Sequence, residues 1–152
     1  MYLVDTDVFS ITSPTSSFGG AAVEGWRSWA RRNEHGLHLS VVTILEISFG
    51  IEKCSSTGAT KKAEALRRWL VAAETIHHGR IIPVTIEIAH MAGAMLNAAV
   101  RTGYAPSSED AVIAATARLE GFRVLSRNAK DMIALGADWL DPLVAPPPDI
   151  PE

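Results

Sequence analysis

Cysteine is almost missing from this chain, which has only Cys54 in 152 residues. A lone cysteine cannot form an internal disulfide bond, which excludes a disulfide-stabilised secreted domain and favours a reducing cytoplasm. We interpret Cys54 as a small residue packed near a helix end. Long apolar runs are also missing: none approaches the roughly 20 residues that span a bilayer, so no membrane partner is expected. The amino end reaches an acid at Asp5 and does not resemble a signal peptide.

An excess of positive charge is missing as well, because the net charge is -3. The chain as a whole is therefore not a basic nucleic-acid binder, and such a role would need a local basic patch or a bound metal ion. Basic residues cluster in two places, at Arg27, Arg31 and Arg32, and at Lys61, Lys62, Arg67 and Arg68. These clusters are either solvated helix faces or patches that follow a phosphate backbone.

Short apolar runs alternate with longer helical patterns along the chain. The runs predict strands over residues 2–4, 37–39, 81–84 and 122–125, with a last edge strand at residues 139–140. The helical patterns cover residues 21–34, 42–53, 59–77, 85–102, 107–120 and 129–135. Loop residues fill 13–20 and 54–58, and the proline-rich end from residue 145 should pack weakly. Alternating strands and helices predict an α/β protein with a parallel sheet covered on both faces.

Four acids fall at the ends of these predicted elements. Asp5 ends the first strand, and Glu46 lies in the first turns of the helix after the second strand. Asp110 opens the helix before the fourth strand, and Asp131 comes shortly after that strand. Sites in parallel α/β folds form at the carboxyl ends of strands, so we expect these acids to face one crevice. Clustered carboxylates need cations, and oxygen ligands without cysteine suit Mg²⁺ or Mn²⁺.

Three of the four acids also have a structural interpretation as helix caps. The spacing of a capping box occurs in Thr43-x-x-Glu46, Ser107-x-x-Asp110 and Asn128-x-x-Asp131. The helix dipole also favours an acid in a first turn. Asp5 has no such explanation, because it ends a central apolar strand. The prediction of a chemical site therefore depends on the set of four acids and not on any one of them.

Four segments carry a family signal: LVDTDV (3–8), SVVTILEISFG (40–50), DAVIAATA (110–117) and SRNAKDM (126–132). In this order they resemble the motifs of PIN-domain ribonuclease toxins of the VapC and FitB type, and the third is the most specific. RIIP (80–83) is similar to the segment before the fifth helix of that family. The resemblance runs over nearly the whole chain, as far as about Pro142.

This resemblance implies a PIN-like three-layer α/β/α domain over residues 1–144, with a central parallel sheet of about four to five strands, and a proline-rich tail over residues 145–152. It implies a Mg²⁺- or Mn²⁺-dependent endoribonuclease that hydrolyses RNA phosphodiesters by metal-activated water, without a covalent intermediate. Such a protein would be the cytoplasmic toxin of a type II toxin–antitoxin system. Its partners would be RNA, a cognate antitoxin protein and a second copy of itself in a homodimer.

The resemblance also assigns roles to residues. The implied catalytic acids are Asp5, Glu46, Asp110 and Asp131. Of these, Asp5 and Asp110 would be the direct metal ligands, and Thr6 and Asn128 would be supporting polar groups. Arg127 could touch phosphate or be a solvated charge, whereas Thr116 faces away from Asp110 and is expected to be structural.

The chain departs from the family pattern at two places. Asp7 stands where the family usually has asparagine, and it could add charge to the site or cap the following turn. The segment Asp141-Pro142-Leu143 matches the usual ending of the family only at Pro142. The second departure affects contacts of the final residues and leaves the implied acidic site unchanged.

Two other classes also place acids after a first strand. A haloacid-dehalogenase-like phosphatase has an aspartate pair such as Asp5 and Asp7, but its lysine and late acidic motif have no convincing match here. A non-enzymatic receiver-like signalling domain needs an acid after its third strand, where this chain has Pro83-Val84-Thr85. A covalent phosphoaspartate would favour either alternative. Metal-dependent RNA cleavage without that intermediate would favour the ribonuclease.

Overall fold

A single parallel sheet forms the centre of the computed structural model, which describes residues 1–151. Its strands are β1 (Tyr2–Val4), β2 (Leu37–Ser40), β3 (Ile81–Ile82), β4 (Arg123–Leu125) and β5 (Trp139–Leu140). They are ordered β3-β2-β1-β4-β5, and every neighbouring pair is parallel. In the middle of the sheet, Leu3 pairs with His38 on one side and with Val124 on the other. The predicted parallel sheet is therefore confirmed.

Helices follow each strand except β5 and cover both faces of the sheet. They are α1 (Thr6–Phe9), α2 (Ala21–Arg32), α3 (Val41–Ser56), α4 (Thr60–Ile76), α5 (Ile86–Arg101), α6 (Ser108–Glu120) and α7 (Ala129–Ala134). Short 3₁₀ turns occupy Ser10–Thr12 and Glu34–Gly36. Six of the helices were predicted, whereas α1 was missed because four residues are too few to show a helical period. Within residues 1–151, none of the helices has the length and apolarity that crossing a membrane requires.

The sheet separates two differently built hydrophobic layers. Side chains alternate along β1, so Tyr2 and Val4 face one layer and Leu3 faces the other. The first layer joins the sheet to α2, α3 and α4 and contains Phe9, Trp26 and Trp29. The second joins it to α5, α6 and α7 and is rich in alanine, at Ala92, Ala99, Ala111, Ala114, Ala115 and Ala117. This arrangement confirms the three-layer α/β/α fold.

Helix α3 exposes large apolar side chains on one side. Leu45 and Phe49 are 59% and 70% exposed, while Thr43, Ile47 and Ile51 are buried. The buried residues recur every four positions, and Leu45 and Phe49 lie two positions away from them on the opposite side of the helix. The helix also continues to Ser56, so most of the loop predicted over residues 54–58 is helical.

Two other boundaries have simple physical causes. Strand β3 is an edge strand, and it stops at Ile82 because the next residue, Pro83, has no N–H to donate to a sheet. The proline-rich tail is not weakly packed. The buried side-chain amide of Asn33 donates to Asp149 Oδ1 at 2.8 Å and accepts from the Ile150 N–H at 2.6 Å. Of the predicted tail over residues 145–152, Glu152 lies outside the described residues.

Candidate active site

An open pocket lies beyond the carboxyl end of β1, where the strand order changes direction. Strands β2 and β3 continue to one side of β1, and β4 and β5 lie on the other. Ligands of parallel α/β folds bind at such a switch point. The lining consists of Asp5, Thr6, Asp7, Ser10, Glu46, Asp110 and Asn128. The lining thus contains four carboxylates and no lysine, arginine or histidine. Three of the four predicted acids meet here, and Asp131 is not part of the lining.

Asp5 is fixed by hydrogen bonds to both of its carboxylate oxygens. Its backbone N–H donates to Leu125 O at 2.9 Å, which joins the end of β1 to β4. Asp5 Oδ1 accepts from the Thr6 N–H at 2.7 Å, and Asp5 Oδ2 accepts from Ser126 Oγ at 2.7 Å. Asp5 is the N-cap of α1. The expectation that Asp5 alone has no capping role was therefore wrong, because it overlooked α1.

Burial dominates the electrostatics of Asp5, which is only 4% exposed. Removing the carboxyl from water raises its pKa from 3.8 to about 7. The nearby charges of Asp7 and Asp110 also raise this pKa. Hydrogen bonds from Ser126 and Thr6 lower it, but they do not offset burial. At neutral pH the pocket therefore holds a carboxylate whose charge is poorly compensated by the protein alone.

Glu46 extends into the pocket from the second turn of α3. The hydroxyl of Thr6 donates to Glu46 Oε2 and lies 3.3 Å from the Thr43 hydroxyl. Burial raises the pKa of Glu46, the charge of Asp110 also raises it, and the Thr6 hydrogen bond lowers it. The capping box predicted from Thr43 to Glu46 is not formed, because α3 begins one turn earlier with Ser40 as its N-cap. Glu46 is therefore free of any capping role.

Asp110 is both a capping residue and a pocket residue. Ser107 Oγ accepts from the Asp110 N–H at 3.0 Å, and the Ser107 N–H lies 3.4 Å from Asp110 Oδ2, which forms the capping box of α6. Burial is the main cause of a raised Asp110 pKa, to which the charges of Asp131 and Glu109 contribute. The structural interpretation of Asp110 is confirmed, and it does not remove the carboxylate from the pocket.

Asn128 connects Asp131 to the pocket. Its Nδ2 donates to Asp131 Oδ2 at 2.9 Å and lies 3.4 Å from Asp110 Oδ2. Its Oδ1 accepts from the Asp131 N–H at 3.4 Å, so Asn128 is also the N-cap of α7. Asp131 therefore contacts the site through Asn128. Thr116 donates to Val112 O within α6 at 2.7 Å, as expected for a structural residue.

Ser126 is a site residue that the sequence did not single out. It is fully buried directly after β4, where its hydroxyl donates to Asp5 and accepts from the Asn128 N–H at 3.0 Å. A polar residue that ends an apolar strand is the same pattern that drew attention to Asp5. Applied to β4, that pattern would have found Ser126.

Asp7 adds a carboxylate to the pocket without capping a helix. Its Oδ2 accepts from the backbone N–H of Arg127 at 3.1 Å, which joins α1 to the segment after β4. Burial raises the pKa of Asp7, and the backbone hydrogen bond and positive charge of Arg127 lower it. Of the two roles considered for Asp7, the structure shows the added charge.

The ligand chemistry of this pocket fits a hard divalent cation. The side chains that line the pocket offer carboxylate, hydroxyl and amide oxygens, and no cationic side chain lies among them. Desolvation raises the pKa of Asp5, Glu46 and Asp110. Within residues 1–151, however, no three acidic, histidine or cysteine side chains converge closely enough to form a ready-made metal cage. Each of these carboxylates instead accepts a hydrogen bond from the protein. Ser126 donates to Asp5, Thr6 donates to Glu46, and the Ser107 N–H donates to Asp110. These donors fix the carboxylates, and the charge of Asp110 disfavours the ionised forms of Asp5 and Glu46.

The fold and the site together define a three-layer α/β protein with an acidic pocket at its topological switch point. The family model described as "PIN domain" matches residues 2–136. The chain therefore belongs to the PIN domain family, as the sequence motifs predicted. Membership in this family argues against the haloacid-dehalogenase-like phosphatase and the receiver-like signalling domain.

Solved structures with the same fold cover nearly the whole chain. The FitAcB structure from Neisseria gonorrhoeae is 24% identical, covers 93% of this chain and 98% of its own, and has a TM-score of 0.79. VapBC2 from Rickettsia felis, bound to a promoter DNA fragment, is 14% identical over 91% of this chain and 96% of its own, with a TM-score of 0.66. A toxin–antitoxin complex from Klebsiella pneumoniae is 21% identical over 93% and 98%, with a TM-score of 0.59. None of the curated proteins compared with the chain matches it.

Proposed function

We propose that this PIN-domain protein is a Mg²⁺- or Mn²⁺-dependent endoribonuclease and the toxin of a type II toxin–antitoxin system. The observation that carries the proposal is the pocket at the end of β1, where four carboxylates meet without a basic side chain in the lining. Such a cluster is costly unless cations neutralise it, and metal-assisted phosphodiester hydrolysis uses this kind of site. PIN domains are generally nucleases, which supports the same reaction.

In this proposal Asp5 and Asp110 are the direct ligands, and Glu46 completes the acidic wall. A bound divalent cation would supply Lewis-acid activation of water and of the phosphodiester. Ser126 holds Asp5 by its hydroxyl, and Thr6 holds Glu46 in the same way. These two hydroxyls orient the carboxylates before substrate arrives, which is the usual task of residues behind a metal ligand.

Asn128 links Asp131, the fourth predicted acid, to the pocket. Its amide spans Asp110 and Asp131, so Asp131 acts by orienting Asn128 and by adding negative charge near Asp110. Hydrolysis proceeds in one displacement by water, with no covalent enzyme intermediate. The aspartates of the pocket are ligands in this scheme and are not nucleophiles.

Several structural neighbours support a partner protein. The Klebsiella pneumoniae structure is described as a toxin–antitoxin complex, and the Rickettsia felis and Salmonella typhimurium VapBC structures are described as DNA-bound. By analogy, the chain is proposed to bind a cognate antitoxin and to form a homodimer. Because the proposed substrate is cellular RNA, the proposed location is the cytoplasm.

The direct experiment measures cleavage by the purified chain of RNA and DNA strands of the same sequence. With Mg²⁺ or Mn²⁺ we expect cleavage of RNA and none of DNA, and we expect EDTA to stop it. Asp5→Asn and Asp110→Asn should each lower the rate by at least about 100-fold, more than the loss of a supporting residue usually costs. The matched control is Asp138→Asn, which changes an exposed acid paired with Arg123 at the opposite end of β4.

Undiminished cleavage by either pocket variant, or cleavage in EDTA, would contradict the mechanism. The toxin role is tested separately, by inducing the chain in bacteria with and without the small protein encoded beside it. We expect growth arrest that the neighbour relieves and that Asp5→Asn does not cause. Light scattering of the purified chain measures the proposed dimer, and a monomer at all concentrations would contradict that part.

A further inference from the structure

An aromatic ring and a guanidinium are stacked at the rim of the acidic pocket. The guanidinium carbon of Arg127 lies 4.6 Å from the centroid of the Phe18 ring, within the range of a cation–π contact. Phe18 belongs to the connection between Ser10–Thr12 and α2, and it stays 46% exposed despite this contact. A single exposed apolar residue is ordinary on a protein surface. Phe18 differs because it lies beside both Arg127 and the pocket, where its ring is accessible to a molecule bound there.

The backbone of Arg127 is fixed beside the pocket. Its N–H donates to Asp7, which lines the pocket, and the preceding residue Ser126 holds Asp5. Its guanidinium, in contrast, has no ion pair and no hydrogen bond in the described part of the chain, where Arg27 and Arg67 both have carboxylate partners. Arg127 therefore offers an exposed guanidinium that no carboxylate within residues 1–151 contacts directly.

A groove leads from the pocket past Phe18. It has a volume of about 350 Å³ and shares Thr6, Ser10 and Glu46 with the acidic pocket, so the two are continuous. Hydroxyl groups of the connection before α2 line part of it, from Ser10, Ser13, Thr15, Ser16 and Ser17. Apolar side chains of α3 and α4 line most of the rest, from Ile47, Ile51, Leu66 and Trp69. Lys62 of α4 also lines the groove, and no acid within residues 1–151 pairs with it. Cationic side chains therefore lie at the groove and at the pocket rim.

We propose that a single-stranded segment of RNA lies in this groove, with one base stacked on Phe18 and its phosphates held by Arg127 and Lys62. This inference rests on the proposed function and describes how that site holds its substrate. Single strands are bound by aromatic platforms together with positive charges that follow the backbone. A base within a duplex has no free face to stack on a side chain, so the platform selects unpaired RNA.

The charge distribution also favours RNA binding along this groove. The chain has a net charge of -3, and four carboxylates line the pocket itself, so an approaching phosphate is repelled unless nearby cations offset that field. Arg127 lies at one side of the pocket, and Lys62 lies along the groove on another. The hydroxyls between them can accept and donate hydrogen bonds to sugar and phosphate oxygens.

The experiment separates binding from cleavage. Binding of a fluorescently labelled, unstructured RNA of about 12 nucleotides, enough to cover one such binding groove, is measured by anisotropy with Asp110→Asn protein, in EDTA and in Ca²⁺, at several salt concentrations. Phe18→Leu should weaken binding between about fivefold and about 100-fold, and Phe18→Trp should restore it, because stacking needs a ring. Arg127→Gln should weaken binding and reduce the slope of log K against log salt by about 0.7, the loss of one phosphate contact. Arg127→Lys should keep the slope.

The matched control is Arg123→Gln, which removes an exposed arginine at the opposite end of the sheet and should change neither affinity nor slope. In otherwise wild-type protein, the Phe18 and Arg127 substitutions should act on KM for RNA cleavage and not on kcat. Unchanged affinity and KM in these variants would overturn the inference, as would failure of the Asp110→Asn protein to bind the RNA in either condition.

The outcomes also distinguish this inference from the proposed function. If the wild-type chain cleaves RNA and the variants cleave it with the same KM, the groove inference fails and the ribonuclease proposal stands. If no RNA is cleaved with any metal but Phe18→Leu and Arg127→Gln lose binding as expected, the ribonuclease proposal fails and the groove stands. Variants that bind RNA normally but escape suppression by the antitoxin would assign the groove to the protein partner and overturn the inference.

Discussion

The two groups of acids in the site carry the same charge but are held in opposite ways. Asp5 and Asp7 follow β1, where burial raises the pKa of both and the charge of Asp7 raises that of Asp5 further. Asp110 and Asp131 open α6 and α7, where the acid is part of the helix N-terminus and accepts or donates capping hydrogen bonds. The helix dipole stabilises an anion at the start of a long helix, whereas Asp5 caps only the four-residue α1, and the effect of burial on its pKa outweighs that of its hydrogen bonds.

This difference indicates that the two groups have different effects on stability. Ionised Asp5 lowers the stability of the fold in the absence of a cation, because its raised pKa means that folding disfavours the charged form. Asp110 instead supports the fold, because its backbone and side chain complete the capping box of α6. Substitutions of Asp5 and of Asp110 should therefore have similar effects on the proposed cleavage and different effects on the free energy of unfolding.

The largest expected effect is the pH dependence of stability due to Asp5. Its pKa is raised from 3.8 to about 7, so the folded state binds more protons than the unfolded state between these values. Its contribution to stability is therefore full below about pH 4 and is lost as the pH rises to about 7. Relative to wild type, Asp5→Asn should gain up to about 4 kcal/mol between pH 4 and pH 8. Urea unfolding in EDTA measures this gain, and parallel pH curves for the two proteins would refute it.

Metal binding should offset the loss of stability that ionised Asp5 causes. At pH 8, Mn²⁺ at about 100 times its Kd should stabilise the wild-type chain by about 2.7 kcal/mol, because the ion binds only the folded pocket. Thermal unfolding with and without EDTA measures this shift. Asp5→Asn and Asp110→Asn should both lose it, and Asp138→Asn should retain it. An equal shift in all four proteins would indicate binding elsewhere.

Substitutions of two serines test the difference between Asp5 and Asp110. Ser126→Ala removes the hydroxyl that donates to Asp5, and Ser107→Ala removes the one that accepts from the Asp110 N–H. At pH 8, Ser126→Ala should cost between about 1 and about 3 kcal/mol, because a buried charge loses its donor. The loss should shrink at pH 5, where Asp5 is protonated. Ser107→Ala should cost about 1 kcal/mol at both pH values. Urea unfolding at the two pH values decides between these patterns.

The smallest expected effect comes from Asp7→Asn. Asparagine can still accept a hydrogen bond from the Arg127 N–H, but it removes the charge that raises the pKa of Asp5. The pH at which Asp5 titrates should move down, and the acidic limb of the cleavage profile should move with it. Profiles of kcat/KM against pH for the two proteins measure the change. No movement, or movement to higher pH, would show that Asp7 does not act on Asp5.

Much of the architecture was predictable because it depends on local periodicity. Alternating apolar runs and helical patterns led to the parallel sheet, and the rule for strand ends led to the pocket that contains Asp5, Glu46 and Asp110. The capping box at Asp110 was also predictable, because its partner Ser107 is only three residues away.

The remaining features depend on contacts between residues that are distant in sequence or on elements too short to show a period. Helix α1 has four residues, so the cap at Asp5 was missed. The role of Ser126 requires knowing that β1 and β4 are neighbours. The docked tail depends on Asn33, which reaches residues 149 and 150. For the same reason the stacking of Arg127 on Phe18 cannot be read from either segment alone.

The place of β1 in the sheet also has a consequence for synthesis. The central strand β1 is made before the other four strands, and its partner β4 is the fourth strand of the sheet to be made. Ser126, which donates to Asp5, lies 121 positions later, so a nascent chain that stops before Ser126 cannot complete the pocket. Contacts of such large sequence separation also form slowly once the chain is complete. The pocket is therefore completed only after β4 has been made and paired, so the proposed nuclease activity would be absent from a partly made chain.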